Sequence, residues 1–359
     1  MTGQKAVDVF AKIKGLKYVP SLGKRLETYD FDELDVALSA DATFLLQMDN
    51  ENQLAVSWWV SPKRTRSYPY ARVYDSLDFA GRRITIIPAV KDEGKGGDRD
   101  FLQWDTVSLM SLLDVYVVIS YYVSAEINPR YPNKVTNQVF DLDHIKAEIR
   151  EISLSQSDAL HWNLSQAAGY GKIAQRALDA YDEMSHALGV EMHSRESAKR
   201  KIELVLEGTK AFMESSRNRA MAAQKRESIT KQPKEKLVVA NAKATITIKN
   251  NLGGLYYFTC DEVTEHEKDL YLVEEKHSES SAIPKVGDIK DGLIKMILFT
   301  NLRNVRIGKR FFTPVPGLRL TGDGCSPLTD AEKETLRLLK KESSENGFRI
   351  FMEKEPPVE

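Results

Sequence analysis

The stretch that most constrains this chain lies between residues 244 and 302. "ATITIKN" (244–250), "LYYFTCDEV" (255–263) and "LYLVEEKH" (270–277) read as strands rich in β-branched and aromatic residues. The last two are joined by the short polar piece "TEHEKD". "DIKDGLIKMILFTNL" (288–302) then reads as an amphipathic helix, with Asp288 and Asp291 at the end where the helix dipole favours acids. Three strands and a helix in that order predict a sheet with a helix laid against it. The third run is unusual, because its apolar alternation ends in four polar groups, Glu274, Glu275, Lys276 and His277.

Side chains alternate between the faces of a strand. Glu274 and Lys276 therefore share a face with Leu270 and Leu272, and Glu275 and His277 share the other with Tyr271 and Val273. If the two runs form a hairpin, it turns at Glu267–Lys268, and Asp261 comes to lie opposite Glu274. Directly opposed Cβ atoms are roughly 4.5–5.5 Å apart, close enough for two carboxylates to hold one divalent cation. Lys276 lies roughly 7 Å further along. The two carboxylates raise each other's pKa, and a Mg²⁺ ion, which takes oxygen ligands and often only one or two carboxylates, would relieve the repulsion. The lysine adds fixed positive charge where a phosphorane becomes most negative. The plainer reading is that the strand simply runs out into solvent.

Asp261, a gap of twelve residues and Glu274-Glu275-Lys276 resemble the PD-(D/E)xK nuclease core shared by many type II restriction endonucleases. The resemblance covers about 245–302. It departs at Cys260, where the motif's name has proline, and at Glu275 in the variable position. It implies a restriction-endonuclease-like core, a central mixed β-sheet flanked by helices. It further implies a Mg²⁺-dependent type II site-specific deoxyribonuclease that hydrolyses double-stranded DNA, leaving a 5′-phosphate and a 3′-hydroxyl. Asp261 and Glu274 would hold the metal, and Lys276 would position or activate the attacking water. A homodimer, matched to palindromic sites, and functional pairing with a DNA methyltransferase are the partners implied. On this reading Glu274→Ala abolishes cleavage and leaves folding largely intact.

Two other acid-x-Lys triplets compete. Glu93-Gly94-Lys95 follows the strand-like "RRITIIPAV", with Asp75 and Asp78 upstream, but sits among glycines that suggest a mobile loop. Asp288-Ile289-Lys290 falls at a helix start, where the aspartate reads as a cap. "GKGGDRDFLQWD" lacks the spacing of a phosphate-binding nucleotide loop. His186 and His193, seven apart with Gly189 between, read as structural.

Two basic segments are candidate DNA contacts. "SWWVSPKRTRSYPYARVY" (57–74) interleaves Lys63, Arg64, Arg66 and Arg72 with tryptophans and tyrosines, a mixture suited to base edges and stacking. The segment 195–236 has twelve lysines and arginines against six acids and includes Arg217, Arg219, Lys225 and Arg226. Its Glu214 or Glu227 is a candidate further ligand. Each segment also reads as an ordinary solvated surface, and a non-catalytic DNA-binding protein, or a repair or branched-DNA nuclease of the same core, remains an alternative.

The 359 residues carry 51 lysines and arginines against 52 acids, so nucleic-acid contact must come from local clusters rather than from net charge. Two cysteines, Cys260 and Cys325, exclude a disulfide framework or a cysteine-rich zinc site. The apolar region 107–123 is interrupted by Asp114 and serines, so it predicts a buried helix leading into a strand, not a membrane span. A cytoplasmic protein without membrane contact is expected. The domain reading is an N-terminal α/β region (1–140, a candidate DNA-recognition part), a helical region (141–236, a candidate for DNA contact and dimerisation) and a nuclease catalytic core (237–359).

Overall fold

In the computed structural model the described residues are 7–49, 52–63, 65–206, 242–249, 255–324 and 327–352. They form a mixed α/β structure that divides into two compact units, residues 25–219 and residues 1–24 together with 220–359. Among the described residues no helix is long and apolar enough to cross a membrane.

The chain opens with β1 (Val7–Lys12) and then builds the unit of residues 25–219. Its first half contains β2 (Thr28–Asp30), α1 (Leu34–Ala40), β3 (Thr43–Gln47), β4 (Gln53–Trp58), α2 (Pro69–Ser76) and β5 (Arg82–Pro88). There follow β6 (Val90–Asp92), β7 (Arg99–Phe101), α3 (Trp104–Leu112), β8 (Val115–Ser120), β9 (Tyr122–Ile127) and β10 (Val135–Phe140). Three helices complete it, α4 (Leu142–Leu154), α5 (Ala159–Leu188) and α6 (Arg195–Leu206). The main sheet has the order β2-β3-β4-β5-β8, and β4, β5 and β8 run parallel. Parallel neighbours need a crossover, which α2 and α3 supply. β8 is buried at every position, as a strand covered on both faces must be.

β8 ends the sheet, yet its open edge is not bare. Asn163 accepts from the Val117 N–H at 2.7 Å and donates to the Val115 carbonyl at 2.9 Å. Trp162 Nε1 donates to the Val117 carbonyl at 2.8 Å, and Gln166 accepts from the Ile119 N–H. Side chains of α5 thus do for this edge what another strand would do. α5, which follows residue 140, thus closes the open edge of the N-terminal sheet. His186 and His193 do not share a helix, because Gly189 at φ 66° ends α5 between them.

The second unit is built from β1, β11 (Ala242–Lys249), β12 (Leu255–His266), β13 (Asp269–Ser278), α7 (Val286–Thr300), β14 (Arg303–Ile307), β15 (Arg310–Gly322), α8 (Asp330–Asn346) and β16 (Arg349–Phe351). β11, β12 and β13 form an antiparallel meander. β15 returns parallel to β13, with α7 on the connection. Pairings run β13-β12-β11-β1-β14-β15 and close back onto β13, with β16 alongside β15. Residues 1–24 belong here for a physical reason. β1 pairs in parallel with β11, and Tyr18, Ser21 and Leu22 all donate to the fully buried Glu342 carboxylate of α8.

α7 differs from the amphipathic helix expected. Gly292 to Phe299 are all buried, so the helix is covered nearly all round. It packs on β13 and β15. Gly292 permits the approach, since a Cβ there would meet Leu318 Cδ1 at 2.7 Å and Lys276 Cε at 3.3 Å.

Candidate active site

The β12–β13 hairpin turns at Glu267–Lys268, where Glu267 takes φ 52° and His266 pairs with Asp269. The ladder pairs Glu262 with Val273 and ends there, and the Asp261 carboxyl lies in hydrogen-bond reach of the Glu274 carboxyl. On its other side β12 pairs with β11 through an irregularity, since Ala242 faces Val263 while Ala244 faces Cys260. One residue of β11 therefore spans two of β12, Asp261 and Glu262. Such a bulge re-aims side chains, and bulges are over-represented beside active sites.

The Asp261 carboxylate reaches across to accept the Glu275 N–H at 3.1 Å. Glu274 is only 3% exposed. Lys276 approaches its Oε1 at 3.3 Å, and Lys295 of α7 donates to its Oε2 at 2.5 Å. Lys295 also donates to the Thr259 carbonyl at 2.9 Å. Lys276 donates in turn to Asp291, one helical turn before Lys295, at 2.5 Å. The carboxyls of Asp261, Glu274 and Asp291 thus lie around the Lys276 and Lys295 ammonium groups.

Electrostatics follow from that surplus of acid. Burial pushes the Glu274 pKa above its ordinary 4.5, the lysines pull against it, and the hydrogen-bonded Asp261 carboxyl adds to the rise. Burial opposes the charge on Lys276, but Glu274 and Asp291 outweigh it, and its pKa is raised. Burial also pushes up the pKa of the neighbouring Cys260 thiol, which makes it a poor nucleophile.

Asp261 and Glu274 offer hard carboxylate oxygens on neighbouring strands, the kind of ligand that Mg²⁺ takes. Among the described residues no group of three or more His, Cys, Asp or Glu side chains is placed to hold a metal.

Sequence reasoning missed Lys295 and the role of Asp291. The signal was present: a lysine inside "LIKMILF", four residues after an aspartate, puts both charges on one face of a helix that is otherwise apolar. His277 faces elsewhere, its Nδ1 2.9 Å from Thr321 Oγ1 and its Nε2 3.5 Å from Asp323. The competing triplet at 93–95 is dispersed, with Glu93 on Arg66 and Lys91 while Lys95 makes an exposed pair with Glu191.

The basic candidates of 57–74 have internal work. Arg66 is held by Glu93, Asp98 and Asp100. Arg72 lies 4.4 Å from the Trp58 ring centroid and donates to the Trp58 carbonyl. Lys63 is half exposed and 4.0 Å from Asp100. Arg64, Arg217, Arg219, Lys225 and Arg226 lie outside the described residues, as do Glu214, Glu227 and Cys325.

The chain matches no family model, no curated protein and no solved structure.

Proposed function

We propose that this chain is a Mg²⁺-dependent endonuclease of double-stranded DNA, with its active site at Asp261, Glu274 and Lys276 and a core of the restriction-endonuclease kind. The observation that carries this reading is the neighbouring pair of carboxyls, Asp261 and a buried Glu274 whose pKa is raised, with the Lys276 ammonium 3.3 Å from Glu274. A buried carboxyl with a raised pKa beside a second carboxyl and two lysines is a reactive arrangement, whereas a strand end running into solvent has no reason to bury it. The meander β11–β12–β13, the helix α7 and the parallel return in β15 supply the mixed sheet and packed helix that such a core requires.

Asp261 and Glu274 would hold the ion, whose chemistry is to lower the pKa of water and neutralise charge on the scissile phosphate. Asp291 fixes the Lys276 ammonium, so its charge is already aimed when the phosphorane forms. Lys295 holds one oxygen of Glu274 and leaves the other side to Asp261 and Lys276. Two-fold DNA sites favour a homodimer, and sequence-specific cutting in a living cell calls for a methyltransferase that protects the host's own sites.

The test is incubation of unmethylated duplex DNA with the protein, in Mg²⁺ and in EDTA. Discrete fragments in Mg²⁺ alone are expected, with 5′-phosphate ends. Salt-sensitive binding without cleavage would replace this proposal with a non-catalytic DNA-binding role. Cleavage confined to nicked or branched substrates would reassign the same site to repair.

A further inference from the structure

A second site lies in the other unit. At the carboxyl ends of the parallel strands there is a cavity of about 430 Å³. Trp58 closes β4, Lys91 follows β5 and Tyr122 follows β8, and all three line it. Ligands of open α/β sheets bind at this edge, and the volume falls within the range of small-molecule pockets, about 300–1,000 Å³.

The walls are held rigidly. Trp58 donates to the Asp41 carbonyl at 2.8 Å and carries the buried Arg72 guanidinium on its ring. Tyr122 donates to the Val60 carbonyl at 2.9 Å and stacks on Phe140 at 4.4 Å. The facing wall is strained. Asn137 sits inside β10 at φ 48°, where the pairing with β9 shifts register between Thr136 and Val139. A non-glycine residue held in the left-handed region within a strand costs stability, and such strain concentrates at ligand sites.

The polar groups at the cavity are unevenly spent. Glu93 is committed to Lys91 and Arg66, which leave it ionised below its ordinary pKa although burial works the other way. Among the described residues Lys134 has no acid partner, and its ammonium is held 5.2 Å from the Tyr131 ring centroid in the lining. Asn137 donates its amide N–H to Glu126, which leaves its carbonyl oxygen unspent. Asn128 accepts two backbone N–H groups with its oxygen, which leaves its amide N–H₂ unspent.

We infer that this cavity binds a mononucleotide unit, a planar base against the aromatic wall with its phosphate on Lys134. An aromatic wall suits a flat ring, and an amide donor and an amide acceptor suit a heteroatom edge. An uncommitted ammonium suits an anion. The unit is either a free nucleoside monophosphate or one unpaired nucleotide of a strand, since both present the same ring and phosphate. A chain that fails to cut DNA would still carry this cavity.

The full chain is titrated with AMP, GMP and ribose 5-phosphate by calorimetry, with Trp58 fluorescence as a local reporter. A nucleoside monophosphate binds and ribose 5-phosphate binds at least about tenfold more weakly. Lys134→Ala weakens nucleotide binding about tenfold or more, Lys134→Arg retains it, and both fold normally. Asn137→Gly, which removes the amide and relieves the backbone, lowers affinity without lowering the melting temperature. Tighter binding of oligothymidylate, with displacement of AMP, identifies a strand as the source, and AMP binding that oligothymidylate leaves untouched identifies the free nucleotide. Equal affinity for ribose 5-phosphate, an unchanged affinity in Lys134→Ala, or no binding at millimolar nucleotide overturns the inference.

Discussion

Two glutamates are buried on the β12–β13 hairpin, and their surroundings differ. Glu262 is 4% exposed and Glu274 is 3% exposed. Glu262 meets Arg319 of β15 in a one-to-one pair, with Thr264 donating to its other oxygen at 3.3 Å. The Arg319 guanidinium lies 5.8 Å from the Phe351 ring centroid. One acid meets one guanidinium there, although the buried Arg319 Nε finds no hydrogen-bond acceptor among the described residues. Glu274 faces a second carboxylate, two lysines and, through Lys276, a third acid. The first arrangement holds strands together. The second stores an imbalance that a divalent cation would relieve, and stored imbalance separates a reactive site from a structural ion pair.

Two substitutions break the comparison most directly. Glu274→Gln keeps the shape and an oxygen for Lys295 but removes the charge, so Mg²⁺-dependent cleavage should be abolished, with a smaller loss of melting temperature than alanine would cause. This replaces the alanine variant that the sequence suggested. Alanine would leave two largely buried ammonium groups without their shared acid, so loss of folding would obscure loss of chemistry. Cleavage at the wild-type rate by Glu274→Gln would remove Glu274 from the active site. Arg319→Met should do the reverse. It strands Glu262 in the interior and should cost about 3–5 kcal/mol in chemical denaturation, with cleavage per folded molecule unchanged. A loss of cleavage beyond the unfolded fraction would show that the two faces of the hairpin are not independent.

The difference between the two glutamates also marks what a reader of the sequence could see. Strand alternation and the length of "TEHEKD" were enough to place the hairpin turn at Glu267–Lys268, because hairpin register is local arithmetic. The α3–β8 transition was likewise legible from the apolar run broken at Asp114. Long-range partners were not. Nothing near residue 262 announces an arginine 57 positions later, and nothing near 274 announces Lys295 descending from a helix. The pairing of β1 with β11 joins segments more than 230 residues apart, so the division of the chain could not be read from texture alone. Arg66 and Arg72 looked like surface cations because sequence gives charge but not the carboxylates or ring that receive it.

The smallest expected effect sharpens the comparison further. The pKa of Glu274 in the fold lies above 4.5, so the folded chain keeps a proton that the unfolded chain releases. Stability from this group is therefore full below pH 4.5 and falls as pH rises through the folded pKa. The form that would hold Mg²⁺ is the carboxylate, so cleavage should rise with pH across the same window. Lys295 is the strongest influence holding that pKa down. Lys295→Met should move the rising limb of kcat/KM to higher pH, while Glu274→Gln should flatten the stability profile across the window. A limb that stays in place in Lys295→Met would mean that Lys295 only anchors α7 to the Thr259 carbonyl. In that case the acid surplus at Glu274 would be set by Asp261 and Lys276 alone.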